Sequence, residues 1–158
     1  MTDRPLRLLV LDDDPWARRL IEHRVRARFP SLSISATAEP AAAPGYDIYL
    51  VDNEFDGDRV ATGLVAELRR VAPEAAIVVL SAQLDAWTLR RLIASGCNGA
   101  FDKCDPDDWD ALEAQIEARL QRRPRPRGAL GAARGVLEAW STRLRASEAA
   151  VRRAEERS

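Results

Sequence analysis

Apolar residues along most of the chain fall into two alternating patterns. Continuous short runs come first: Leu6-Arg7-Leu8-Leu9-Val10-Leu11, Tyr46-Asp47-Ile48-Tyr49-Leu50-Val51, Ala76-Ile77-Val78-Val79-Leu80 and Gly99-Ala100-Phe101. Runs of this length and continuity predict strands buried on both faces of a parallel sheet. A weaker strand is predicted around Leu32-Ser33-Ile34-Ser35.

Between the runs the spacing becomes helical. Residues 15–29 open with Pro15, suited to a first helical turn, and carry Leu20, Ile21, Val25 and Phe29 at helical intervals. The stretch 38–45 is alanine-rich but holds Pro40 and Pro44, so it has room for two turns of helix at most. A polar loop over 53–62 leads to a helix with Leu64, Val65 and Leu68. Residues 84–95 place Leu89, Leu92 and Ile93 inward and stop at Gly96. Asp105-Pro106-Asp107-Asp108 supplies a cap, a first-turn proline and acids at a helix start. That helix carries Leu112, Ile116 and Leu120 and reaches Arg122. Strands and helices alternate, five of each, which predicts an α/β doubly wound three-layer fold with right-handed crossovers.

Arg122-Arg123-Pro124-Arg125-Pro126-Arg127-Gly128 breaks the pattern. The expected division is one domain over 6–122, an Arg/Pro linker over 123–129 and an amphipathic helix over 130–158. In that helix Leu130, Leu137, Leu144 and Val151 recur every seven residues, with Ala133, Trp140, Ser147 and Ala154 between them. This seam is narrow and its second set of positions is poor for a coiled coil.

Composition refines this picture. The net charge of −1 conceals an asymmetry: residues 123–158 hold nine Arg against four Glu, leaving fifteen basic against twenty-one acidic residues before them. An acidic domain thus carries a basic tail. No apolar run approaches the roughly 18 residues of a membrane helix, and no leader pattern precedes the first strand. A cytoplasmic, membrane-free protein is expected. Cys97 and Cys104 have neither the spacing nor the histidine partners of a metal or disulfide framework.

The candidate chemistry lies at the strand ends. Of 24 basic residues only Lys103 is lysine, and it ends the fourth apolar run. Lysine is a compact point charge on a flexible stem, whereas arginine is a wide planar fork. A site built for a narrow ammonium would not accept the exchange. The first run ends in Asp12-Asp13-Asp14, the second in Asp52 and the third in Ser81. The carboxyl ends of parallel strands converge on one edge, where ligands bind. Carboxylates, a hydroxyl and an ammonium are therefore expected to meet there.

In strand order, an acidic pair, a lone Asp, a Ser and a Lys resemble the receiver domain of bacterial two-component response regulators, over roughly residues 6–122. The resemblance implies a flavodoxin-like sheet of order 2-1-3-4-5. It also implies a protein that takes a phosphoryl group from a histidine kinase or phosphotransfer protein. By the same resemblance Asp12 and Asp13 would hold Mg²⁺ with Asp52, and Asp52 would be the phospho-acceptor. Glu54 would offer its backbone carbonyl to the metal, Ser81 would be the switch hydroxyl, Phe101 the switch aromatic and Lys103 the phosphoryl-binding amine. Such a protein phosphorylates and dephosphorylates itself rather than turning over a substrate.

Chemistry supports these residue types. A carboxylate is a competent nucleophile that can form an acyl phosphate. Phosphoryl transfer depends mainly on positioning and cationic stabilisation of the equatorial oxygens. Mg²⁺ wants hard oxygen ligands and keeps waters. This chain departs from the family in several places. The second helix is short, Phe55 and Asp56 replace a common Met-Pro, Gly63 comes late, and Cys104 replaces the proline after the lysine.

Other functions are weaker readings. A module with this fold that ignores phosphate is opposed by the intact quartet. A hydrolase of the haloacid dehalogenase type would carry its nucleophile on the first strand and its acid pair last, the reverse of this order. A nucleic-acid role for the tail is opposed by its interleaved glutamates and the lack of a reading motif. Homodimerisation through the C-terminal helix, or through the 84–95 helix bearing Trp87, is the remaining expectation. His23, among arginines, and Trp87 are expected in solvent, and Trp16 and Trp109 partly packed.

Overall fold

The computed structural model describes residues 4–122, 145 and 148–157. Its strands are β1 (Arg7–Leu11), β2 (Ser33–Thr37), β3 (Ile48–Asp52), β4 (Glu54–Phe55), β5 (Asp58–Arg59), β6 (Ala76–Ser81) and β7 (Gly99–Asp102). Its helices are α1 (Pro15–Arg28), α2 (Ala61–Val71), α3 (Ala86–Ser95) and α4 (Pro106–Gln121), and residues 148–156 are also helical. Five strands form one parallel sheet in the order β2-β1-β3-β6-β7. With the two-residue strands β4 and β5 set aside, this is the expected 2-1-3-4-5 order.

Alternation along each strand builds two cores. Leu9 and Leu11, Tyr49 and Val51, Ile77 and Val79 face one side, where α2 and α3 supply Leu64, Val65, Leu68, Leu89 and Leu92. Leu8 and Val10, Ile48 and Leu50, Val78 and Leu80 face the other, where α1 and α4 supply Ile21, Val25, Trp109, Leu112 and Ile116. Side chains alternate across a strand while both faces are covered, so the apolar runs are continuous. The pairs α1/α4 and α2/α3 on opposite faces are the doubly wound arrangement expected from the alternation.

Several local expectations are corrected. Residues 38–45 form no helix. Pro40 and Pro44 sit too close together, and the backbone closes only short turns, Ala41 N–H to Glu39 and Ala43 N–H to Ala41. Ala42, Ala43 and Tyr46 still pack on the sheet face, and the Tyr49 hydroxyl donates to the Ala43 carbonyl at 2.7 Å. The loop over 53–62 contains a β-hairpin, β4 paired antiparallel with β5. Its two central residues, Asp56 and Gly57, both have positive φ, at 51° and 83°, as the tight turn that matches strand twist requires. On α1, Leu20 is 64% exposed and Trp16 76% exposed, so neither packs inward. His23 and Trp87 are exposed, as expected, whereas Trp109 is buried in the core rather than partly packed.

The proposed linker 123–129 and the first part of the 130–158 helix, including Leu130, Leu137 and Trp140, lie outside the described residues. Among the described residues no helix is long and apolar enough to cross a membrane.

Candidate functional site

β1 and β3 are adjacent, and both end at the carboxyl edge of the sheet. Asp12 therefore leaves β1 beside Asp52, the last residue of β3. Carboxylate oxygens of Asp12, Asp13 and Asp52 lie within 4.8 Å of one another. Lys103 follows β7, two strands away, and reaches back across the edge. Its Nζ lies 2.6 Å from Asp12 Oδ2 and 2.8 Å from Asp52 Oδ1. Asp12 is buried, 1% exposed, so the ammonium is its charge partner in a dry setting.

Electrostatics follow from that packing. Burial pushes the Asp52 carboxyl above the usual aspartate range and Asp12 pushes the same way, while the Lys103 ammonium pulls it down without cancelling the rise. Burial also works against the Lys103 charge, but hydrogen bonds and attraction from Asp12 and Asp52 outweigh it, so the ammonium is held charged. The Asn53 N–H donates to Asp52 Oδ1, the same oxygen that meets Lys103. Asp52 Oδ2 has no such partner among the described residues.

The acidic loop is braced on three sides. Asp14 caps α1 by accepting from Trp16 N–H at 2.9 Å. Arg18 Nη1 donates to the Asp12 and Asp13 carbonyls at 2.7 and 3.0 Å. The hairpin tip reaches over from the other side, where Asp56 N–H donates to Asp13 Oδ2 at 2.8 Å. Arg18 is a site residue that motif reading does not single out. The signal for Arg18 is its position one turn inside a helix that starts at the acidic loop.

The remaining residues of the expected set stand apart. The Ser81 hydroxyl donates to the Gln83 carbonyl at 2.8 Å and accepts from Gln83 N–H, so it is engaged with its own loop. Phe101 is buried in the α1/α4 core. Glu54 lies on β4 with its side chain exposed. Lys103 is itself held from below. Its N–H donates to the Ser81 carbonyl, and its carbonyl accepts from the Trp109 indole at 2.8 Å. Asp108, buried at the start of α4, accepts from Asp102 N–H at 2.7 Å.

The donor set suits a hard divalent cation. It offers three carboxylates, with one Asp13 oxygen and Asp52 Oδ2 outside the internal hydrogen bonds. The same arrangement places a nucleophilic oxygen next to a fixed positive charge.

No protein-family model matches the chain. Over 112 residues it is 32% identical to the methanol utilization control regulatory protein MoxX of Paracoccus denitrificans, covering 65% of this chain and 49% of that protein. Over 127 residues it is 27% identical to the glycerol metabolism activator of Pseudomonas putida, covering 75% of this chain and 57% of that one. The chain thus spans about half the length of the curated relatives it matches. Among solved structures, the BeF3-activated DrrB receiver domain matches with a TM-score of 0.63 at 13% identity, over 74% of this chain and 98% of that one. Other response regulator structures match over comparable spans. The chain has the fold of a response regulator receiver domain, with an acidic pocket at the carboxyl edge of its sheet.

Proposed function

We propose that this protein is a phosphorylation-controlled receiver that accepts a phosphoryl group on Asp52 from a histidine kinase or phosphotransfer protein and signals through protein contacts. The observation that carries this reading is the meeting of Asp12, Asp13, Asp52 and Lys103, with Asp52 Oδ2 left unengaged among the described residues. Asp52 Oδ2 attacks phosphorus, the bond from phosphorus to the donor's imidazole nitrogen breaks, and the electron pair leaves with the imidazole. Lys103 exchanges its bond to Asp52 for one to a phosphoryl oxygen. Asp12, Asp13 and Asp52, with the Glu54 carbonyl, would hold Mg²⁺, which when bound neutralises charge on the transferring group. Ser81 leaves Gln83 and donates to a second phosphoryl oxygen, and Phe101 repacks with it. Lys103, Ser81 and Phe101 would couple chemistry to the surface.

The test is the intact mass after acetyl phosphate treatment with Mg²⁺. A gain of one phosphoryl group is expected, absent with a chelator and absent in Asp52→Asn. A second reading, a phosphorylation-independent binding module, is favoured by one observation, the commitment of the Ser81 hydroxyl to Gln83. An unlabelled protein with unchanged amide spectra under beryllofluoride and Mg²⁺ would establish it.

A further inference from the structure

We propose that the surface formed by α3, β7 and α4 is a helix-docking site occupied by the chain's own C-terminal helix, and that phosphorylation at Asp52 loosens this occupant. The proposal rests on the phospho-acceptor reading for its trigger and on independent contacts for its docking.

The helical residues 148–156 lie over the edge strand β7. Ala150 is buried in the core cluster that contains Ala100, Leu89 and Leu92, and Val151 and Ala154 pack against the same cluster. Both of these belong to the heptad seam. Ala149 and Ala150 line a small cavity of about 110 Å³ together with Gly99, Ala100, Phe101 and Ala111. A helix over an edge strand hides ladder groups that would otherwise invite pairing. That role alone would need no charged contacts.

Charges nevertheless fix the C-terminal end of this helix to both α3 and α4. Glu155 pairs with Arg90 of α3 at 3.2 Å. Arg157 pairs with Asp105 at 2.7 Å and Asp108 at 3.2 Å, and Arg153 lies 3.7 Å from Asp108. The acids at the start of α4 thus receive the basic end of the tail. The Arg90 pair is exposed and contributes little. Asp108 differs, because its carboxylate is buried and faces two ways. One oxygen accepts from Asp102 N–H, between Phe101 and Lys103, and the other meets Arg157.

That carboxylate links two events. When Lys103 and Ser81 turn to a phosphoryl group, residues 101–103 shift at the end of β7. Phe101 forms part of the cavity floor beneath Ala150, and Asp102 N–H holds the carboxylate that holds Arg157. A shift there disturbs apolar seat and charged latch together, and packed contacts of this kind change between discrete arrangements. The helix is a tethered occupant, so modest differential affinity is enough to change how often it is docked.

Hydrogen exchange on the full chain, read by mass spectrometry, tests this. With beryllofluoride and Mg²⁺, exchange over 148–156 should rise about tenfold while the pocket segment 81–84 becomes protected. Arg157→Glu should free the helix without beryllofluoride, with the pocket still responding. Ala150→Glu, which puts a carboxylate into the apolar seat, should do the same. Protection in the pocket with no change over 148–156 would overturn this inference and leave the phospho-acceptor reading intact. No response at either place would overturn both. A concentration-dependent dimer dissolved by Arg157→Glu would place the helix on a second copy and overturn docking within one chain.

Discussion

The Trp109 indole N–H donates to the carbonyl of Lys103 at 2.8 Å. Trp109 is buried against the α1/α4 core, and the Arg24 guanidinium stacks 4.4 Å from its ring. The first turn of α4 therefore holds the backbone that aims the ammonium. Cys104 N–H donating to Asp102 and Asp102 N–H donating to Asp108 fix the same short loop. Around Cys104 this network supplies the rigidity.

Trp109→Phe keeps most of the apolar volume and removes the donor. We expect a stability loss on the order of 1 kcal/mol in urea unfolding, the net worth of one buried hydrogen bond. We also expect labelling by acetyl phosphate to slow about threefold to tenfold, because a loosened Lys103 stabilises the transferring group less well. Unchanged labelling would show that the ammonium finds its position without the indole.

The strands and the meeting of the strand-end acids with Lys103 were legible because both depend on local pattern. Four buried runs ended in Asp12, Asp52, Ser81 and Lys103, and a parallel sheet brings such ends to one edge. The direction of the Ser81 hydroxyl was not legible, since it depends on a rotation set by the loop to Gln83. Asp56-Gly57 is a recognised hairpin dipeptide, but strands of two residues are too short to show alternation. In residues 38–45 the prolines argued for a break and the alanines for a helix, and the prolines prevailed. Helical spacing placed Leu20 among apolar positions, yet spacing says nothing of where the facing surface ends. Val151 and Ala154 marked a seam, but a seam does not say what lies across it. In this structure it is the chain's own core.

The hairpin makes a prediction about the proposed Mg²⁺ site. Gly57 at φ 83° has open space around it, so a side chain there meets strain from the backbone alone. Gly57→Val should cost the turn about 1–2 kcal/mol, while Gly57→Asn, which tolerates this region, should cost less. Because Asp56 N–H holds Asp13 Oδ2, a loosened tip frees a carboxylate that would otherwise be preset. Mg²⁺ affinity by calorimetric titration should fall several-fold in Gly57→Val and recover in Gly57→Asn. Equal affinities would remove the hairpin from the site.

Asp85 predicts a pH dependence. It caps α3 by accepting from Thr88 N–H at 2.7 Å, and that hydrogen bond, with help from Thr88's side chain and Arg59, holds its carboxyl below the ordinary value of 3.8. A depressed folded pKa means stability that is complete above the unfolded value and lost as pH falls through the folded one. At pH 7, Asp85→Ala should lose about 1 kcal/mol. The gap between wild type and variant should close as pH falls below the ordinary carboxylate range. Asp85→Asn retains a capping oxygen without the charge, so it should lie close to wild type at low pH. Unfolding curves at several pH values compare the three, and a gap independent of pH would remove the charge from the cap.

Trp16 and Leu20 stand one turn apart on α1, both exposed, where the helix leaves the acidic loop. The Arg19 guanidinium lies 5.8 Å from the Trp16 ring, and Asp14 of the acidic loop caps this turn of α1. Large exposed apolar side chains of this kind are frequent anchors for protein partners. A small phosphodonor needs only the pocket, whereas a phosphohistidine protein must also dock. Trp16→Ala and Leu20→Ala should therefore slow transfer from a phosphorylated partner by about tenfold, through KM more than through kcat. Labelling by acetyl phosphate should be unaffected, and stability should change by less than about 0.5 kcal/mol, as for other surface positions. Equal slowing with both donors would mean that the substitutions disturb Asp12 and Asp13 rather than a docking contact.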